Sequence, residues 1–212
     1  PYYRNSTYML GWSEFKRSRL DAGLQQFFNV IESFLDDGNV DSLETVDAEF
    51  LKDTFRVVNL ALAYLDGAQT LADEMRKRNK PNWQYLVYEN LANDYAEKER
   101  YLDNVATWQT FVEHNPLDKR APAAHKGMIK TLMDAGFPSA IFPKKKEFVL
   151  RYGVYSEFWT HHSEAVRASY IETLHAYFTE LSQLAHAEAQ TYAGIDAGGT
   201  RAKGWHETEQ RQ

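Results

Sequence analysis

The residues of this chain best equipped for chemistry are its histidines, a run of lysines and one glycine-rich segment. His161, His162 and Glu164, or His186 with Glu188, pair imidazole with carboxylate, the donor set that holds zinc. Adjacent histidines on a helix diverge by about 100°, so His161 and His162 do not share an ion without bending the backbone. No two of His161, His162, His175 and His186 are four residues apart, the spacing that sets two ligands on one helical face. Surface or boundary histidines are therefore expected, with no metal. Lys144-Lys145-Lys146 follows Pro143 and reads as the first turn of a helix, where positive charge opposes the helix dipole. An acidic partner or a lipid headgroup would explain the run, and a solvated face is the simpler expectation. No serine, histidine and acid arrangement, no phosphate-loop lysine and no paired carboxylates stand out. No catalytic residue and no cofactor is expected.

Gly194-Ile195-Asp196-Ala197-Gly198-Gly199-Thr200 resembles the first phosphate-binding segment of the sugar kinases related to actin and hexokinase. The resemblance implies a backbone that approaches nucleotide phosphates, with the aspartate near a metal. Its position argues otherwise. Such a segment opens a domain of alternating strands and helices, whereas here a long helical pattern precedes it. A flexible linker is the expectation, followed by the opening of a new helix at Ala202–Gln212 that stops in mid-pattern.

Composition narrows the classes further. The 212 residues are 43% apolar and 25% charged, as in an ordinary globular protein. Thirty acidic against 24 basic residues give a formal charge of −6, which disfavours nucleic acid as a partner. No run of about 18 apolar residues offers a membrane span. The absence of cysteine removes disulfides and thiolate chemistry and is compatible with cytoplasm or periplasm alike. Pro1 in place of methionine suggests a piece of a longer chain.

The elements that must position any site are helical. Tyr85, Tyr88, Leu91, Ala92 and Tyr95 form one stripe at helical spacing, and Tyr101, Val105, Trp108, Phe111 and Val112 form another. Glu97-Lys98-Glu99-Arg100 supplies the turn between them and Pro116 the stop. Ala92 is small where the two helices would press together, and Asn104 takes the other position usually held by a small residue. A second hairpin is expected over 3–35, with Gly11 and Gly23 at close approaches. A degenerate third covers 50–79, interrupted at Asp66-Gly67. A fourth spans 121–153, turning at Ala135-Gly136-Phe137-Pro138 and capped at Gly153. Residues 36–49 read as a loop. Phe158–Tyr192 reads as a helical stretch, softly broken near His161-His162-Ser163, with one helix of about 25 residues. The fold class is all-α, a single array of about four to five hairpins over 1–212.

Tyr88-x-x-Leu91-Ala92-x-x-Tyr95 followed by Asn104-x-x-x-Trp108 and Pro116 resembles the tetratricopeptide repeat family, as does Leu10-Gly11 with Gly23-x-x-x-Phe27. The resemblance implies a right-handed superhelix that holds a peptide or protein in its concave groove, without catalysis. In that family the groove is lined by exposed positions of each first helix. Here these are Asn5, Tyr8, Trp12 and Lys16, then Glu89, Asn93 and Glu97, then Lys126, Lys130 and Asp134. Amides suit the backbone of an extended peptide and charges suit its ends. The repeated lysine-asparagine set that clamps a C-terminal carboxylate is lacking, with Lys126, Lys130 and Asn93 only a partial version. Phe111-Val112 before Asn115-Pro116, and Phe148-Val149 before Tyr152-Gly153, look like the repeats of bacterial cell-envelope proteins. That implies a periplasmic or outer-membrane setting and further repeats in a parent chain. The alternative is a structural or oligomerisation element with no separate ligand.

Overall fold

The computed structural model describes residues 2–35 and 45–192. The glycine-rich segment Gly194–Thr200, the expected helix at Ala202–Gln212 and the 36–44 part of the expected loop lie outside them. Among the described residues the fold is all-α, with no strand. In chain order the helices are α1 Tyr2–Lys16, α2 Leu20–Leu35, α3 Thr45–Tyr64, α4 Gly67–Lys77, α5 Gln84–Glu97, α6 Tyr101–His114, α7 Ala121–Asp134, α8 Pro138–Tyr152, α9 Glu157–His161, α10 Glu164–Ala168 and α11 Ile171–Tyr192. Two compact units divide the chain, one ending at Phe137 and the other beginning at Pro138. The boundary falls inside the expected turn at 135–138.

In the first unit each helix packs on the next, and alternate helices also meet, α3 on α5 and α4 on α6. The result is a stack of helical hairpins. Antiparallel α1 and α2 approach closely because two glycines allow it. A Cβ on Gly11 would lie 2.5 Å from Cε1 of Phe27, and one on Gly23 would lie 3.0 Å from the Gly11 carbonyl oxygen. Phe27, with Leu24 and Ile31, is fully buried beneath.

The aromatic stripes of the 85–116 hairpin form its core. Tyr88, Leu91, Ala92 and Tyr95 of α5 are buried, as are Trp108, Phe111 and Val112 of α6. Tyr85 and Tyr88 both meet the Phe111 ring edge-on, with centroids 5.2 Å apart in each case. Asn104 departs from the small-residue pattern because it makes polar ties. Its Nδ2 donates to the Ala92 carbonyl at 2.7 Å, and its Oδ1 accepts from the Thr131 hydroxyl at 2.7 Å, so one buried amide links α5, α6 and α7.

Four helices of this unit end in the same backbone device. Ser18, Asn79, Glu99 and Gly136 have φ of 60°, 58°, 56° and 74° in that order. After each, the next amide donates back five residues along the turn: Arg19 to Glu14, Lys80 to Met75, Arg100 to Tyr95 and Phe137 to Leu132, at 2.8 to 3.0 Å. This is the Schellman closure, which satisfies carbonyls that a helix end would otherwise leave unpaired. Gly136 and Asn79 are residue types that favour this state, whereas serine and glutamate are not.

The second unit is built on aromatic contacts. Phe148 and Tyr152 of α8 meet at 4.8 Å, Tyr152 meets Phe158 of α9 at 5.0 Å, and Phe148 meets Tyr177 of α11 at 5.2 Å, all edge-on. Tyr170 closes the cluster at 5.7 Å from Phe158. Edge-to-face pairs of this kind gain about 1 kcal/mol beyond the apolar area they cover.

Two expectations are corrected and a third is corrected in part. The loop read over 36–49 is helical from Thr45 onward. Val46 there faces solvent, so the first turn carries no apolar stripe, while Asp47 suits the helix N-terminus and pairs with Arg4 at 3.0 Å. Lys144–Lys146 is not a first turn. α8 starts at Pro138, a residue favoured at a first helical position, and Pro143 lies within it at the loss of one backbone hydrogen bond. The stretch at 158–192 breaks at His162-Ser163, as expected, and again after α10, which was not expected, before the 22-residue α11. Ser156 caps α9 by accepting from the Trp159 amide at 3.1 Å, His162 and Ser163 are extended, and Tyr170 turns into the aromatic cluster before α11 begins.

Candidate functional site

Two helices of the first unit carry polar stripes at helical spacing on the side away from their apolar ones. On α3 these are Glu49, Lys52, Asp53, Arg56 and Asn59, and on α5 they are Asn90, Asn93, Asp94 and Glu97. Both stripes step by three and four residues, so each forms one face of its helix. Where α3 lies on α5 the two faces border a groove of about 410 Å³.

Its charges are partly answered from within. Asp53 accepts from the Tyr8 hydroxyl of α1 and from Arg56, the latter at 2.8 Å. Partial burial works to raise the Asp53 carboxyl, but the bonds from Tyr8 and Arg56 outweigh it and hold the group below the usual carboxylate range. The same contact, after burial, pushes the Tyr8 phenol up. Asp94 accepts from Lys98 one turn on, at 2.7 Å. Glu49, Glu97 and Lys52 are exposed and enter no ion pair among the described residues. Among the described residues the groove therefore keeps two carboxylates and one cation outside any ion pair.

Asn59 is the unusual member. It is 5% exposed, and its Nδ2 donates to the Asn90 carbonyl at 3.2 Å, tying α3 to α5. Its Oδ1 is buried and has no hydrogen-bond partner among the described residues. A buried acceptor without a donor costs about 1–3 kcal/mol, a cost set against the tie that the same side chain makes between the two helices.

The residues that the repeat resemblance assigned to a groove are distributed as follows. Asn93 and Glu97 line the groove between α3 and α5. Glu89 stands on α5 beside them, near Tyr85, whose phenol is pushed up to about 12 by burial and by the Glu89 carboxylate. Tyr8 and Trp12 pack inward: Tyr8 meets Phe50 at 5.1 Å and Phe27 at 5.7 Å, and Trp12 meets Phe15 at 5.5 Å. Asn5 and Lys16 are exposed on α1. Lys126 is exposed on α7, where Lys130 pairs with Asp134. Glu49, Lys52, Asp53, Arg56, Asn59, Asn90 and Asp94 line the groove without having been expected: the α3 residues belong to the degenerate 50–79 unit or to the expected loop, and Asn90 and Asp94 flank the expected positions of α5.

The lysine run resolves into separate roles. Lys144 pairs with Glu147 at 3.0 Å. Lys145, 7% exposed, donates to both carboxylate oxygens of Glu180 at 2.8 and 2.6 Å and lies 5.1 Å from the Tyr177 ring centre, tying α8 to α11. Lys146 alone is exposed. His161 and His162 meet edge-on at 5.0 Å, and among the described residues no three histidine, aspartate or glutamate side chains are grouped to hold a metal ion. No described helix is long and apolar enough to cross a membrane.

The second unit bears an apolar hollow of about 720 Å³, lined by Leu150, Val154, Tyr155, Ile171, Leu174 and Phe178 among others. It contains no buried polar atom awaiting a partner, and so says little about what would fill it. No protein-family model, no curated protein and no solved structure matches the chain.

Proposed function

We propose that the chain is a non-catalytic protein-interaction module, a tetratricopeptide-type array that holds an extended peptide in the groove between α3 and α5. The observation that carries this reading is the groove itself, bordered on two helices by amide and charged side chains, with Asn93 and Glu97 exposed in it. A peptide main chain supplies N–H donors at regular intervals, and the exposed amide of Asn93 offers both a donor and an acceptor to it. The aromatic-rich style of the repeats supports a place in the bacterial cell envelope. An export signal at the start of the parent chain would bear that out, and a parent beginning directly with this array would argue against it.

The test is selection of a short random-peptide library on the whole chain, followed by fluorescence anisotropy with the enriched peptides. Asn93→Ala combined with Glu97→Ala changes two exposed groove residues and is expected to weaken binding about tenfold, with helicity unchanged. Full binding by that double variant would place recognition elsewhere and defeat the proposal.

A further inference from the structure

We infer that the exposed face of α11 pairs with the same face of a second copy of this chain, antiparallel and about a two-fold axis at Ser182. The inference stands apart from the peptide groove, which lies in the first unit. α11 carries two stripes at helical spacing. One, Leu174, Tyr177 and Leu181, lies on the side of α8, where Tyr177 meets Phe148 and Glu180 accepts from Lys145. The other, Ile171, His175, Phe178, Ser182, Ala185 and Ala189, steps by four and three residues in strict alternation, the rhythm of a seam between two helices, and every member is exposed. From Ser182 to Ala189 each residue of α11 is exposed and the only carboxylate is Glu188, a poverty of charge that suits the middle of an interface.

The second stripe is complementary to itself in one direction only. Its large members, Ile171 and Phe178, lie in the first half of α11 beside the apolar hollow, and its small members, Ala185 and Ala189, lie in the second half. In a parallel pair phenylalanine would meet phenylalanine and alanine would meet alanine, leaving gaps. An antiparallel pair crossing at Ser182 sets Phe178 against Ala185 of the second copy and His175 against Ala189, so that bulky meets small at both ends alike. The hollow, about 720 Å³ and lined on its other side by Leu150, Val154 and Tyr155, lies where Ala189 of the second copy arrives and gives that helix room. The same register brings the His175 imidazole beside the Glu188 carboxylate of the second copy, twice by symmetry. Ser182 can be covered at the axis, since its hydroxyl already donates to the Phe178 carbonyl at 2.8 Å.

Sedimentation velocity on the whole chain between about 1 and 100 μM gives the first reading: a monomer–dimer equilibrium is expected, weak because one helix face and one hollow fall at the small end of protein interfaces. Ala185→Glu, at an exposed position, sets a carboxylate against Phe178 and should raise the dissociation constant at least about tenfold with helicity unchanged. Because the chain has no cysteine, disulfide cross-linking reads the register without background. Ser182→Cys meets its own copy at the axis and should cross-link readily on oxidation, while Gln183→Cys beside it should not. His175→Cys and Ala189→Cys should cross-link when the two variants are mixed, and neither should do so alone. Ready cross-linking of either one alone would mean a parallel pair and overturn the proposal, as would a dimer that Ala185→Glu leaves intact. A chain that stays monomeric throughout the range, with Nile red held in the hollow at every concentration, would give that surface to an apolar ligand and overturn the self-pairing.

Discussion

At the scale of single residues, the close approach of α1 and α2 is the point most sensitive to change. Alanine at position 11 would gain up to about 1 kcal/mol of helix propensity over glycine. Its Cβ would also meet the Phe27 ring at 2.5 Å, in a core with no room to shift. The clash wins, so Gly11→Ala is expected to destabilise by about 1–3 kcal/mol in urea unfolding at constant slope. Asp118 gives a pH dependence. Although burial raises its carboxyl, side-chain and backbone hydrogen bonds from Arg120 bring it below the ordinary value. A depressed folded-state value means stability that is present above the unfolded value of about 4 and lost as pH falls through the folded one. Asp118→Asn should therefore cost about 1 kcal/mol at neutral pH and flatten the acid limb of the stability profile. Of these details the sequence displays Gly11 and Gly23, because a small residue in an apolar stripe signals close contact. It hides the role of Asn104, whose two hydrogen bonds depend on where Ala92 and Thr131 come to lie.

At the scale of elements, helix existence was legible and helix ends were not. Apolar spacing marks α2, α5, α6 and α7 clearly, since each buries a stripe. The first turn of α3 escapes that signal because it buries nothing, and the break after α10 escapes it because Tyr170 continues the apolar rhythm across it. The groove was half legible for a related reason: Asn93 and Glu97 follow from the strong hairpin, whereas the α3 face belongs to a unit with a degraded pattern. The Schellman closures yield an element-level prediction. Glu99 holds φ at 56°, a state that an L-residue with a Cβ enters at a cost of roughly 1–2 kcal/mol and glycine enters freely. Part of that gain is offset by the greater freedom of glycine in the unfolded chain. Glu99→Gly is expected to raise stability by about 0.5–1 kcal/mol, read as a higher denaturant midpoint with an unchanged slope. An unchanged or lower midpoint would mean that the turn is held by something other than this backbone state.

At the scale of the whole molecule, the division at Phe137 implies that the first unit carries its own core. A chain ending at Phe137 should remain helical and unfold in one cooperative transition, monitored by circular dichroism and near-ultraviolet signal together. A broad, non-coincident melt would show that the stack needs the second unit to close. The Schellman closures also bear on ancestry. Serine, asparagine, glutamate and glycine occupy the same left-handed site at the ends of α1, α4, α5 and α7, so the architecture is held by a backbone state that several residue types can enter. Substitution at such junctions leaves the stack in place while erasing the letters by which kinship is usually recognised, and relatives of this chain are better sought by the rhythm of their turns than by shared residues.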